Sequence, residues 1–218
     1  MVMQVANALE HLLKHFVFVG GAVTDLLIEN NMDGNRPTKD VDVITEISSY
    51  TDQAEFERLL REQGFEPVMD GPVCRWHIEE NIVDFMPLEK NVLGFSNPWY
   101  PDAVKHAETH ILPNDIAIRL ISAPYFLATK TCAFLDRGKG DFFLNSDIED
   151  MVRVINGRPG IVEEILKSDE KVRHYLRTHW QTFLDHSDFR ESIQWIWNDP
   201  ASQSRYPLIL ERIKTLFS

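Results

Sequence analysis

The chain has little of what stabilises secreted or membrane-bound proteins. Only two of its 218 residues are cysteines, Cys74 and Cys132, which is too few for a disulfide framework and lacks the CxxC spacing of structural zinc sites. No apolar run approaches the ~20 residues that cross a bilayer, and the N-terminal stretch mixes charges among its apolar residues, unlike a signal peptide. We therefore expect a cytoplasmic protein without membrane association.

Positive charge is also scarce. The chain has 22 Lys and Arg against 34 Asp and Glu, a formal net charge of −12. This balance argues against a broad basic surface that grips duplex nucleic acid. A local basic pocket, or an acceptor held through one end only, remains compatible with it.

What the sequence does contain is the pattern of an α+β protein. Short apolar runs bounded by turn residues predict strands in the front half, including two hairpins whose turns lie at residues 79–81 and 113–115. From Pro124 onward the apolar residues recur at helical spacing. We predict an α/β front half, residues 1–123, and a helical back half, residues 124–218.

Two aspartates one residue apart are the most informative feature. In the stretch DVDVI, Asp40 and Asp42 fall on one face of a predicted strand, and Val41 and Val43 fall on the other. Adjacent carboxylates repel unless a cation offsets their charge. The pair therefore predicts either a metal site or a solvated edge strand.

Two further features favour the metal site. Gly20 and Gly21 lie between a predicted strand and a predicted helix, where backbone amides can approach a phosphate, although such pairs also form simple tight turns. Asp84 is an acid within the apolar strand NIVDFMP, and buried acids are rare unless they are paired or metal-bound. Three carboxylates beside a glycine turn would suit Mg²⁺, which prefers oxygen ligands and substrate phosphates.

The order of these motifs resembles the nucleotidyltransferases of the DNA polymerase β-like superfamily. The segments GG, RPTKDVDV and YFLATKTCAFLDRGKGDFFLNSDIEDMVRVINGR are more closely similar to the AbiEii/AbiGii-type (MenT-like) nucleotidyltransferase toxins. The resemblance covers most of residues 17–158. It implies a nucleotidyltransferase-fold mixed sheet with flanking helices, followed by a C-terminal helical bundle.

The resemblance also implies a role for each matching residue. The triphosphate-binding turn would be formed by Gly20 and Gly21. The catalytic ligands of Mg²⁺ would be Asp40, Asp42 and Asp84. The nucleotide would be bound by Lys130, Arg137 and Asp150. The implied substrate is an NTP, such as ATP, and the implied acceptor is a tRNA 3′ end or a protein hydroxyl. A cognate antitoxin would be the partner of such a toxin, in a toxin–antitoxin or abortive-infection system.

Helical spacing bears on some of these residues independently. Lys130 and Arg137 lie seven residues apart and share a face, which is either a phosphate-binding face or a solvated basic edge. Asp150 either orients Lys130 or faces water. The sequence from Ser146 to Glu149 fits a capping box, and Arg36 is a candidate for phosphate contact or for loop anchoring.

Two other function classes remain open at this point. The chain could be a nucleotidyltransferase-fold protein that binds a partner without catalysis, or an enzyme that modifies a small molecule. A metal-dependent assay of NTP consumption separates the first of these from an enzyme.

Overall fold

The computed structural model describes residues 1–29, 37–46, 50–88, 90–138, 140–196 and 203–216. The chain divides into two compact units, Met1–Val23 with Pro37–Ser122, and Thr24–Arg36 with Ala123–Ser218. Each unit is described by itself below. Within the described ranges, no helix is both long and apolar enough to cross a membrane.

The first unit is built on a mixed sheet of seven strands in the order β3-β4-β5-β2-β1-β7-β6. Neighbouring strands run antiparallel except for the pairs β2–β5 and β1–β7, which are parallel. The strands are β1 Phe16–Val19, β2 Asp40–Thr45, β3 Glu66–Pro67, β4 Arg75–Ile78, β5 Asn81–Pro87, β6 Glu108–Ile111 and β7 Ala117–Leu120. The predicted α+β class and both predicted hairpins, β4–β5 and β6–β7, are confirmed.

Helices accompany this sheet. They are α1 Val2–Leu9, α2 Tyr50–Glu62, α3 Lys90–Leu93 and α4 Tyr100–Lys105, with a 3₁₀ helix at Glu10–His15 and another beginning at Gly21. Phe16, Phe56, Phe65 and Phe85 form an aromatic cluster, with ring centroids 5.3–5.9 Å apart. This burial of large side chains fixes β1 and β5, and with them the strand between them, β2.

The position of β2 decides one of the alternatives left open by the sequence. β2 lies between β5 and β1, so it is an interior strand and not an edge. Val41 and Val43 are fully buried on one face, while Asp40 and Asp42 are partly exposed on the other. The solvated edge strand is therefore the wrong interpretation of the aspartate pair.

The second unit is helical, with α5 Ala123–Arg137, α6 Ser146–Gly157, α7 Ile161–Lys167, α8 Glu170–Asp185, α9 Ser187–Trp195 and α10 Tyr206–Thr215. Aromatic residues of α5, α8 and α9 pack together with one from the loop before α6; they are Phe134, Phe142, Trp180, Phe183 and Phe189. The Trp180 indole is buried and donates a hydrogen bond to Thr131 Oγ1 at 2.9 Å. The predicted helical back half is thus present in the described residues.

Candidate functional site

Strand register gathers the three predicted carboxylates on one face of the sheet in the first unit. Asp42 of β2 pairs with Asp84 of β5 in the parallel ladder, and Asp40 lies two residues before Asp42. Because paired residues of neighbouring strands point to the same side and side chains alternate along a strand, all three share that side. Asp84 is buried, as the apolar strand around it predicts.

The glycine turn lies directly against this face. Val19, the last residue of β1, pairs with Asp42. Gly20 follows with φ of +72°, and a Cβ built on it would lie 1.9 Å from Asp42 Oδ2 and 2.6 Å from Asp42 Cγ. Only glycine fits this position, because any side chain would displace the Asp42 carboxylate. The turn is therefore part of the carboxylate face.

The helix after the turn differs from the one expected. Gly21–Leu27 is a 3₁₀ helix of seven residues and not an α-helix. A short 3₁₀ helix offers fewer aligned peptide dipoles than an α-helix. The helix dipole consequently gives little support to a phosphate site at Gly20 and Gly21.

A fourth residue of this face, Arg75, was missed by the sequence reasoning. Its Nε donates to Asp84 Oδ1 at 2.8 Å, and its Nη2 donates to Asp84 Oδ2 at 2.7 Å and to Asp40 Oδ2 at 3.0 Å. The β4–β5 hairpin places Arg75 directly opposite Asp84. A two-residue turn at Glu79 and Glu80 would have predicted this pairing from the sequence, because the ladder register is then fixed.

The carboxylates change the electrostatics of their neighbours. Hydrogen bonding to Asp84, followed by the charges of Asp84 and Asp40, raises the pKa of Arg75 above its usual value despite partial burial. Burial, together with the nearby Asp84 charge, raises the pKa of the Cys74 thiol to about 11. Arg75 is therefore a permanent cation in the site, and Cys74 is a neutral thiol that lacks the thiolate character of a nucleophile.

The donor chemistry of the face fits Mg²⁺, although the side chains do not form a closed cage. Across the described ranges, no cluster of three or more His, Cys, Asp and Glu side chains is gathered so as to hold a metal ion. Mg²⁺ is usually held by one or two carboxylates and completes its shell with water and substrate phosphates. Asp40 and Asp42 offer hard oxygen donors of this kind on a partly exposed face.

The predicted nucleotide-binding residues form a separate ionic cluster within the second unit. Lys130 Nζ lies 2.7 Å from Asp150 Oδ2 and 3.1 Å from Asp147 Oδ1. Arg137 donates to both oxygens of Asp147 at 3.1–3.2 Å. Lys130 and Arg137 therefore share a face of α5, as their spacing predicts, and both contact α6.

The two cations differ in exposure. The side chain of Arg137 is 67% exposed, whereas that of Lys130 is only 10% exposed. Burial alone would lower the pKa of Lys130, but the charges and hydrogen bonds of Asp150 and Asp147 outweigh it and raise the pKa. The solvated basic edge is wrong for Lys130, which is a buried ammonium ion. Of the two interpretations of Asp150, orientation of Lys130 is correct.

Two smaller expectations also meet the structure. The N-cap of α6 is Asn145, whose side chain accepts hydrogen bonds from the amides of Asp147 and Ile148, so the predicted capping box starting at Ser146 is wrong. Glu149 instead lies 3.9 Å from Arg153, one turn further along the helix. Arg36 lies outside the described residues.

Comparison with known proteins adds little to these observations. No protein-family model and no curated protein matches the chain. Among solved structures, the solution structure of the antibiotic-resistance factor ANT(2'')-Ia matches with a TM-score of 0.44 and 12% identity, over 85% of this chain and 98% of that chain. A match at this level carries no inference about activity, and the resemblance to AbiEii/AbiGii-type toxins stays a prediction.

Proposed function

We propose that the chain is a Mg²⁺-dependent nucleotidyltransferase, which moves a nucleoside monophosphate from an NTP to an acceptor hydroxyl. The observation that carries this proposal is the aspartate face of the first unit. Asp40, Asp42 and Asp84 share one side of two parallel strands, and Gly20 closes against Asp42 where no side chain fits. Structural stability alone gives no reason to align three acids in this way.

The roles of the residues follow from their exposure and contacts. Asp40 and Asp42 are partly exposed and would hold the metal. The resemblance implies Asp84 as a third ligand, but Arg75 engages both of its carboxylate oxygens, so Asp84 would instead anchor Arg75 beside the metal site. When bound, Mg²⁺ would supply neutralisation of the charge on the transferred phosphoryl group. The bare backbone at Gly20 and Gly21 would let the triphosphate approach the face closely.

Within the second unit, the family resemblance assigns Lys130, Arg137 and Asp150 to nucleotide binding. Lys130 and Asp150 are best explained as a buried ion pair that fixes α5 to α6, because both are almost fully enclosed. Arg137 carries an exposed guanidinium group and is the stronger candidate for phosphate contact. We therefore assign Arg137 to the nucleotide and Lys130 to the support of Arg137 through their common partner, Asp147.

The acceptor and the biological setting rest on the resemblance alone. A tRNA 3′ end or a protein hydroxyl would be the acceptor, and a cognate antitoxin protein would hold the toxin inactive. The net charge of −12 favours an acceptor held through a small footprint.

A second candidate function is favoured by one specific observation. Arg75 already neutralises part of the charge of Asp84 and Asp40, which a protein that binds partners without catalysis could use in place of a metal. In that case the chain would keep the fold and bind no divalent cation.

One experiment distinguishes the two candidates. The purified protein is incubated with Mg²⁺, with each NTP labelled at its α-phosphate in turn, and with total RNA or cell lysate, and the destination of the label is determined. An enzyme transfers label to a macromolecule or small molecule, whose identity reveals donor and acceptor. Absence of transfer with every NTP, together with absence of Mn²⁺ binding, would instead identify the non-catalytic protein.

A further inference from the structure

Arg75 is bound unequally by its two carboxylate partners. Asp84 engages the guanidinium group through both of its oxygens, at 2.8 and 2.7 Å, in the bidentate geometry that is the strongest form of this pair. Asp40 receives a single hydrogen bond at 3.0 Å from the Nη2 that also serves Asp84. The contact with Asp40 is therefore the weaker one and the first to break.

Exposure follows the same order. The side chain of Asp84 is 11% exposed, and that of Asp40 is 34% exposed, so water and solutes reach the Asp40 end of the pair more easily. A dissolved cation that approaches this face would meet Asp40 and Asp42 before Asp84. Asp40 is thus the residue for which Arg75 and an incoming cation compete.

The arginine is held in place by its own hairpin. Its backbone amide donates to Pro72 O at 2.8 Å, and its carbonyl oxygen accepts from the Val68 amide at 3.0 Å. Gly71 lies against its stem, since a Cβ on Gly71 would be 3.4 Å from Arg75 Cδ. The backbone and the aliphatic stem of Arg75 are therefore held beside the carboxylate face.

We propose that Arg75 is a built-in counter-cation that competes with divalent metal for Asp40 and so lowers the metal affinity of the site. This inference rests on the proposed function, since it assumes that the carboxylate face binds metal. Arg75 contacts Asp40 and Asp84, so its positive charge occupies part of the carboxylate surface that a metal ion would use. Binding of a divalent cation then requires Arg75 to release Asp40 while it retains Asp84.

The pairing also explains how the face folds without metal. A buried carboxylate that lacks a partner is costly, and Asp84 is the most buried of the three. Arg75 supplies that partner, so the sheet does not depend on metal for its assembly.

The test is direct titration of the full chain with Mn²⁺, with free Mn²⁺ measured by electron paramagnetic resonance. Arg75→Gln should bind Mn²⁺ more tightly than wild type by about tenfold, because the competing charge is gone. Arg119→Gln is the matched control, since Arg119 lies on β7 of the same sheet, pairs with Glu46 at 2.9 Å, and is 32% exposed where Arg75 is 29% exposed. It removes the same charge at a distance from the aspartates and should bind Mn²⁺ like wild type.

A second variant, Arg75→Lys, tests the same contact while it keeps a positive charge beside Asp84. Arg75→Lys keeps the charge and loses the bidentate fork, so it should tighten Mn²⁺ binding less than Arg75→Gln does. Unchanged or weaker Mn²⁺ binding in both Arg75 variants, when wild type binds Mn²⁺, would overturn the inference and leave the proposed function standing. Absence of Mn²⁺ binding in wild type and in both variants would overturn the metal site itself, and the inference with it.

Discussion

Replacement of Gly20 by alanine tests the closest contact of the carboxylate face. Two costs combine in Gly20→Ala. The residue has φ of +72°, a left-handed conformation that costs an L side chain about 1–2 kcal/mol. The new Cβ would also lie 1.9 Å from Asp42 Oδ2, and overpacking of this kind adds about 1–3 kcal/mol. We expect a total loss of about 2–5 kcal/mol in the free energy of unfolding.

Gly94→Ala separates these two costs. Gly94 has φ of +82°, and a Cβ built on it meets no atom of the described residues within 4 Å. This variant therefore carries the conformational strain without the steric contact, and we expect it to lose only about 1–2 kcal/mol. The assay is urea denaturation of wild type and both variants, followed by circular dichroism.

The activities of Gly20→Ala and Gly94→Ala should differ more than their free energies of unfolding do. Gly20→Ala displaces the Asp42 carboxylate and should abolish NTP-dependent transfer, whereas Gly94→Ala should retain it. Equal unfolding midpoints for the two variants, with transfer retained in Gly20→Ala, would refute the reasoning that joins the glycine turn to the carboxylate face.

Two further predictions concern buried groups. Lys130→Ala should lower the free energy of unfolding by about 3–5 kcal/mol, because it removes the buried cation that Asp147 and Asp150 share. A thermal midpoint near that of wild type would contradict the buried ion pair. Folding raises the pKa of the Cys74 thiol from 9.0 to about 11, so the thiol of the unfolded chain ionises first as the pH rises. The contribution of the neutral thiol to the free energy of unfolding is therefore fully present below pH 9 and is lost as the pH rises to about 11. The urea midpoint of wild type should therefore fall across that range more than the midpoint of Cys74→Ser, and parallel pH profiles would contradict the burial of the thiol.

Much of the first unit follows from local sequence pattern. Alternation of apolar and polar residues predicts β2, a short apolar run predicts β5, and turn residues predict both hairpins, because these signals depend on near neighbours in the chain. The carboxylate face could be predicted because Asp40, Asp42 and Asp84 are conspicuous in apolar strands. Its register with Gly20 is a property of strand pairing and emerges only in three dimensions.

The errors have a common physical cause, which is tertiary contact between segments distant in the sequence. The contact of Arg75 with Asp40 joins residues 35 positions apart, so local pattern does not reveal it, whereas its pairing with Asp84 follows from the hairpin register. Spacing alone leaves Lys130 on either a phosphate-binding face or a solvated edge, but residues 123–131 of α5 are all buried, so the helix has no solvent-exposed face there. A lysine in such a helix has to find its carboxylates on a neighbouring element, here α6.

The claim that Asp42 belongs to a catalytic metal site is tested by measuring the transfer of labelled nucleotide by Asp42→Asn and by wild type. The substitution keeps the size of the side chain against Gly20 and removes the charge that would hold metal. We expect Mg²⁺-dependent transfer by wild type and a fall of about a hundredfold or more in the variant. The unfolding midpoint of the variant should equal or slightly exceed that of wild type, since charge repulsion on the face is reduced. Transfer by Asp42→Asn at the wild-type rate would contradict the claim that these aspartates form a catalytic metal site.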